Sequence, residues 1–180
     1  MKKIYKFILL NTLSILVMIS CNNNQETAES NLDQITNSNE ILSIDLFISN
    51  GFKEVKNYNI SELEGAVSAH YGWLKDDFSN PRDYELRFYG NHKSALNSIN
   101  IIEEVIGKDA ILASRDVTWK EGNSDRRVNR RGAGSGPGSA KAKYLYYLIY
   151  ENVVILCEGL DENESIKLCN LIIKKINLTN

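Results

Sequence analysis

A chain of 180 residues, 43% of them hydrophobic, is long enough for one domain with a real core, so a single domain is the default. Its 21 basic and 23 acidic residues give a net charge of −2, which argues against a general role in binding nucleic acid or acidic membranes. The classes left open are an interaction module, a small-ligand binding protein and an enzyme.

The first 20 residues have the order of an export signal. Three lysines among the first six residues precede an apolar run over residues 7–19, and polar sequence begins at Cys21. The run is too short for a transmembrane helix, which needs about 20 mostly apolar residues. We therefore expect a cleaved signal peptide over residues 1–20.

Residues 18–21, Met-Ile-Ser-Cys, resemble the lipobox of bacterial lipoproteins. In that class a small residue, here Ser20, precedes the cysteine that receives a diacylglycerol group before cleavage. The resemblance covers residues 1–21 only. It implies a lipidated Cys21 and a mature chain anchored to the membrane at the cell envelope, outside the cytoplasm, in the outer membrane if the cell has one. An ordinary secreted protein or an uncleaved anchor is the alternative.

Residues 21–40 are rich in Asn, Gln, Glu, Ser and Thr, which predicts a disordered tether ahead of a globular domain over residues 41–180. The domain begins with a predicted short helix that ends at Ser49. A capping box of Ser61 and Glu64, followed by apolar residues at spacings of three or four, predicts a helix over residues 61–75.

The remaining elements alternate between strands and helices. Period-two and helical patterns predict a strand over 84–89, a helix over 92–106, one or two short strands within 110–119, strands over 144–150 and 153–158, and a final helix that begins at Asp161 and Glu164. This order predicts an α+β fold, in which an antiparallel sheet of about four strands carries helices on one face.

Two cysteines remain once Cys21 is assigned to lipid. Disulfides persist outside the cytoplasm, so we expect a bridge between Cys157 and Cys169. The alternative is a pair of buried thiols, because the first cysteine is placed near the end of a strand and the second two turns into the next helix.

A basic, glycine-rich segment over residues 121–143 is predicted to be a flexible loop. Arginine binds oxyanions through paired donors, and glycine lets the backbone approach an anion closely, so this loop is a candidate for binding an anionic polymer or an envelope protein. A solvated linker is the alternative. The spacing matches neither a P-loop nor a dinucleotide fingerprint. The candidate residues are Arg126, Arg127, Arg130, Arg131, Lys141 and Lys143.

The sequence assigns no catalytic residue, metal or cofactor. His70 and His92 are the only histidines, and no paired-cysteine or His-x-x-x-His spacing accompanies them. The neighbouring carboxylates at 76–77 and 103–104 point apart, unlike a catalytic pair. An envelope enzyme would need a site near His70, His92 and the basic loop.

The tyrosines of the strand over 144–150 lie on both of its faces, so an exposed aromatic face could bind a partner unless both faces are covered. The sequence thus predicts a lipid-anchored envelope lipoprotein of the non-enzymatic binding or interaction class. A small-ligand binding protein and an envelope enzyme are the alternatives.

Overall fold

The computed structural model describes residues 32–128 and 140–177. These ranges form one mixed α/β domain, with a six-stranded sheet and five α-helices. The strands are β1 (Ile35–Thr36), β2 (Lys53–Asn57), β3 (Ala66–Lys75), β4 (Pro81–Tyr89), β5 (Tyr144–Tyr150) and β6 (Val153–Glu158). The helices are α1 (Ile44–Ser49), α2 (His92–Leu96), α3 (Ile99–Glu103), α4 (Asn123–Arg127) and α5 (Glu162–Asn177).

The sheet has the strand order β1-β5-β6-β4-β3-β2. Every neighbouring pair is antiparallel except β1 and β5, which run parallel. The expected α+β single domain is therefore confirmed, whereas the expected four strands are six. Strands β6 and β4 occupy the centre of the sheet, and all residues of β6 are buried.

The elements with the clearest patterns lie where they were expected. Strands β4, β5 and β6 contain the three predicted ranges, and Glu164 donates its backbone N–H to Asp161 as a capping box at the start of α5 requires. The predicted helix over 92–106 is broken into α2 and α3. At the break, the Ser98 hydroxyl binds the Ala95 carbonyl and competes with the helical hydrogen bonds.

The predicted helix over residues 61–75 is wrong, because residues 66–75 form strand β3. That strand pairs with β4 from Ala66 to Lys75, and this long-range ladder outweighs the local capping pattern. Gly72 shows how closely Phe52 and Lys53 pack against this strand. A Cβ atom there would lie 2.3 Å from the carbonyl oxygen of Lys53 and 2.5 Å from the ring of Phe52.

The strands expected within 110–119 are also absent, and that range holds only a 3-10 turn.

The domain begins earlier than residue 41. Strand β1 pairs with β5, and the Glu151 carboxylate accepts hydrogen bonds from the backbone N–H groups of Ser38 and Glu40. Residues 32–40 are therefore part of the fold rather than of a tether. Residues 1–31, which include the predicted signal peptide and Cys21, lie outside the described residues.

Helices cover both faces of the sheet, not one. On the first face, α1 and α5 pack on side chains such as Leu86, Leu148 and Ile155. On the second face, α2 and α3 pack on Val154 and Leu156. Because successive side chains of a strand point to opposite faces, β6 is buried from both sides.

The structure joins Cys157 of β6 and Cys169 of α5 in a disulfide, with Cα atoms 5.6 Å apart. Helix α5 packs against β5 and β6, so two residues separated by 12 positions meet in the core of the first face. The bridge attaches the last helix covalently to the middle of the sheet.

Replacing Cys157 and Cys169 by alanine should lower the free energy of unfolding by about 2–3 kcal/mol, because the short loop is no longer closed in the unfolded chain. Urea denaturation of the double variant measures the loss, and reduced wild-type protein serves as the comparison. A wild-type midpoint that dithiothreitol leaves unchanged would show that the thiols are not bridged.

Candidate functional site

The second face of the sheet carries a layer of buried charged side chains. Asp83, Glu85 and Arg87 alternate along β4 and therefore share this face. Arg126 of α4 pairs with Glu85, and Lys143, the residue before β5, pairs with Asp83. Each of the five is at most 8% exposed. We call these five residues the charged layer.

Glu85 is the centre of the charged layer, since its two carboxylate oxygens bind two different arginines. Oε1 accepts a hydrogen bond from Nε of Arg87 at 2.7 Å, and Oε2 accepts one from Nε of Arg126 at 2.6 Å. Burial acts to raise the pKa of Glu85, but the two guanidinium groups outweigh it and hold that pKa below its ordinary value. Glu85 is thus a buried carboxylate ion that bridges two cations.

The ring of Trp119 covers both arginines. The guanidinium carbon lies 4.1 Å from the ring centroid in Arg126 and 4.9 Å in Arg87, and both are within the range of cation–π attraction. The indole N–H donates to the carbonyl oxygen of Asn59 at 3.0 Å, which holds the ring in place.

The outer edges of the two guanidinium groups have no protein partner among the described residues. Both terminal nitrogens of Arg87 and both of Arg126 are buried without a hydrogen bond, as is the hydroxyl of Tyr144. The hydroxyl of Tyr89 lies beside Ser98 and Arg87, and both neighbours act to lower its pKa. Burial raises the pKa of both tyrosines, so their hydroxyls remain protonated donors.

The neighbouring charged side chains also form ion pairs. Lys143 lies 3.0 Å from the carboxylate of Asp83, and the hydroxyl of Tyr71 donates to the same carboxylate. Lys56 lies 2.8 Å from Asp125. Among the described residues, Glu85 is the carboxylate that pairs with Arg87 and Arg126, so these three side chains carry one excess positive charge.

The basic segment over 121–143 differs from the expected flexible anion-binding loop. Residues 123–127 are helix α4, and Arg126 and Lys143 point inward because the carboxylates of Glu85 and Asp83 pair with them. Arg127 donates to the carbonyl oxygen of Leu112. Lys141 is exposed, whereas Arg130 and Arg131 lie outside the described residues.

The histidines do not share a site through their hydrogen bonds. His70 lies on β3, where its ring nitrogens meet Glu54 and Ser68, both at 2.9 Å. His92 contacts the carbonyl oxygen of Glu151 at the opposite end of β5 from Lys143. The part of the chain that the structure describes contains no group of three or more residues able to hold a metal ion.

The tyrosines of β5 do not form an exposed aromatic face. Tyr144 and Tyr147 are buried in the second face, while Tyr146 and Tyr150 pack against the core of the first. Both faces of β5 are therefore covered by protein.

An open pocket of about 370 Å³ lies beside the charged layer. Trp119 lines it and at the same time contacts both arginines on the inside. The other lining residues are Asn59, Ser61, Glu62, Lys120, Glu121 and Gly122.

Fold and site together define a mixed α/β domain with one apolar, disulfide-bridged face and one charged face. The chain belongs to a family of unknown function, DUF6810, whose model matches residues 43–178. No curated protein and no solved structure matches it. The matched range contains the whole charged layer and both bridged cysteines. No helix among the described residues is long and apolar enough to cross a membrane.

Replacing Glu85 by glutamine should lower the free energy of unfolding by about 3–5 kcal/mol, because two buried cations lose their counter-ion. The exposed Glu64 offers a matched control, and Glu64→Gln should leave stability nearly unchanged. Chemical denaturation of both variants measures the difference. Equal stability of the two variants would show that the bridge does not hold the layer together.

The stabilising effect of Glu85 should depend on pH. Its folded-state pKa lies below its ordinary value of 4.5, so its contribution is complete above about pH 4.5 and is lost as the pH falls through the folded-state pKa. The difference in stability between wild type and Glu85→Gln should therefore be constant from pH 7 to about 5 and shrink in more acidic buffer. A difference that grows on acidification would contradict this assignment.

Proposed function

We propose that the protein is a lipid-anchored lipoprotein of the cell envelope whose domain is a non-enzymatic binding module. The anchor half of this proposal rests on the signal pattern of residues 1–20 and on Cys21. The disulfide between Cys157 and Cys169 supports it, because such bridges persist outside the cytoplasm.

The binding half of this proposal rests on the charged layer. Buried ion pairs lose hydration, and well-packed apolar side chains of similar volume would seal the sheet as stably or better. In this interior, Arg87, Arg126 and Tyr144 also carry hydrogen-bond donors that have no acceptor among the described residues. A stabilising role alone does not account for these spare donors, whereas a recognition role uses them.

This geometry favours a small-ligand binding protein over docking of a large partner on the basic segment. Arg126 and Lys143 are committed to buried carboxylates and cannot also face a surface partner. Of the six basic candidates, Lys141 alone is an exposed residue in the described part of the segment. An envelope protein or an anionic polymer therefore remains the second candidate partner.

Replacing Cys21 by alanine should abolish incorporation of labelled palmitate and leave residues 1–20 attached, because lipidation of this cysteine precedes cleavage. Labelling and the mass of the purified protein from the producing bacterium measure both effects. The matched control is the Cys157→Ala, Cys169→Ala double variant, which should still be labelled. Palmitate incorporation into Cys21→Ala protein would contradict the lipid anchor at this residue.

A further inference from the structure

We infer that Arg87 and Arg126 form the binding site for a small tetrahedral oxyanion of the phosphate or sulfate class. The inference rests on the binding half of the proposed function and is independent of the lipid anchor. No part of it involves residues outside the described ranges.

The two arginines lie in one compartment. Their Nε atoms bind the same carboxylate, that of Glu85, and both guanidinium groups pack against the ring of Trp119. Each therefore keeps its outer edge, with two terminal nitrogens, for another acceptor. A guanidinium edge matches the spacing of two oxygens of an oxyanion, and arginine does not lose its proton in proteins.

The other unpaired groups fit the same ligand. Tyr144 provides a buried hydroxyl, and the side chain of Asn123, one helical turn before Arg126, is buried without a partner among the described residues. A tetrahedral oxyanion has enough acceptor oxygens for two guanidinium edges and further hydroxyl donors. An apolar ligand would leave all of these buried donors unsatisfied, which disfavours its binding.

Charge selects an anion as well. Among the described residues, one carboxylate, that of Glu85, pairs with the two arginines, while Asp83 and Asp125 pair with Lys143 and Lys56. An isolated buried charge is strongly disfavoured, so the excess cation favours a bound anion over a neutral or cationic ligand.

The pocket beside Trp119 does not itself contain the proposed site, because neither arginine lines it. Trp119 separates this pocket from the arginines, and Gly122 lines the same pocket. The rim carries Glu62, Glu121 and Lys120, a mixture that does not steer anions toward the site. Recognition therefore depends on the arginines rather than on the pocket mouth.

The test uses the full-length lipidated protein in detergent, with inorganic phosphate and sulfate as probes and chloride at equal ionic strength as the reference. Calorimetric titration should show one saturable site for phosphate or sulfate, and the melting temperature should rise with either oxyanion but not with chloride. Absence of saturable binding would overturn the inference, while palmitate labelling of the same preparation reports on the anchor separately.

Two tyrosine variants test where the anion binds. Tyr144→Phe removes one buried donor without changing charge, and should weaken oxyanion affinity about tenfold, the effect of one hydrogen bond to a charged group. Tyr150→Phe is the matched control, since Tyr150 lies on the same strand but packs against the first face. Equal affinities of the two variants would locate the anion elsewhere and overturn the assignment.

Two further measurements complete the design. Arg126→Lys keeps the charge but loses the paired donors, so a folded variant should bind phosphate more weakly than wild type. Glycerol 3-phosphate distinguishes the ligand's source. Tighter binding than inorganic phosphate supports a phosphoryl group on a larger molecule, and equal binding supports the free anion.

Discussion

The bridge from Glu85 to two arginines is the interaction on which the second face of the domain depends. A carboxylate at the centre of β4 is buried only because Arg87 and Arg126 bind its two oxygens. One of these arginines comes from the same strand and the other from α4, so the bridge joins the sheet to the segment that covers it. The cation–π contacts of Trp119 with Arg87 and Arg126 also hold this segment against the sheet.

The two faces of the sheet are stabilised by different physics. The first face is an apolar core under α1 and α5, reinforced by the disulfide between Cys157 and Cys169. Burial of hydrocarbon drives this half and tolerates no unpaired polar group. The second face combines an apolar region under α2 and α3 with the charged layer. A stable first face can support a second face that contains buried charges, at some cost in stability.

Local sequence patterns predicted the elements that depend mainly on short-range interactions. Alternation located β4, two apolar runs joined by a two-residue turn located β5 and β6, and the Asp161–Glu164 capping box located α5. The helix expected over 61–75 failed because pairing with β4 lies beyond local reach. The charged layer was missed for the same reason: Glu85 and Arg87 alternate with apolar residues and resemble a solvent-facing row until α4, about 40 residues away, covers them. The charges along β4 were the available signal, since opposite signs at Glu85 and Arg87 on one face suggest mutual pairing.

Hydrogen exchange of the Glu85→Asp variant tests most directly whether this bridge docks the covering segment. Aspartate keeps the charge but is one methylene too short to reach both Nε atoms. The account predicts faster amide exchange confined to residues 117–128, with β6 and α5 protected as in wild type. Unchanged protection of residues 117–128, or an equal loss of protection throughout the domain, would contradict the claim that Glu85 holds this segment on the sheet.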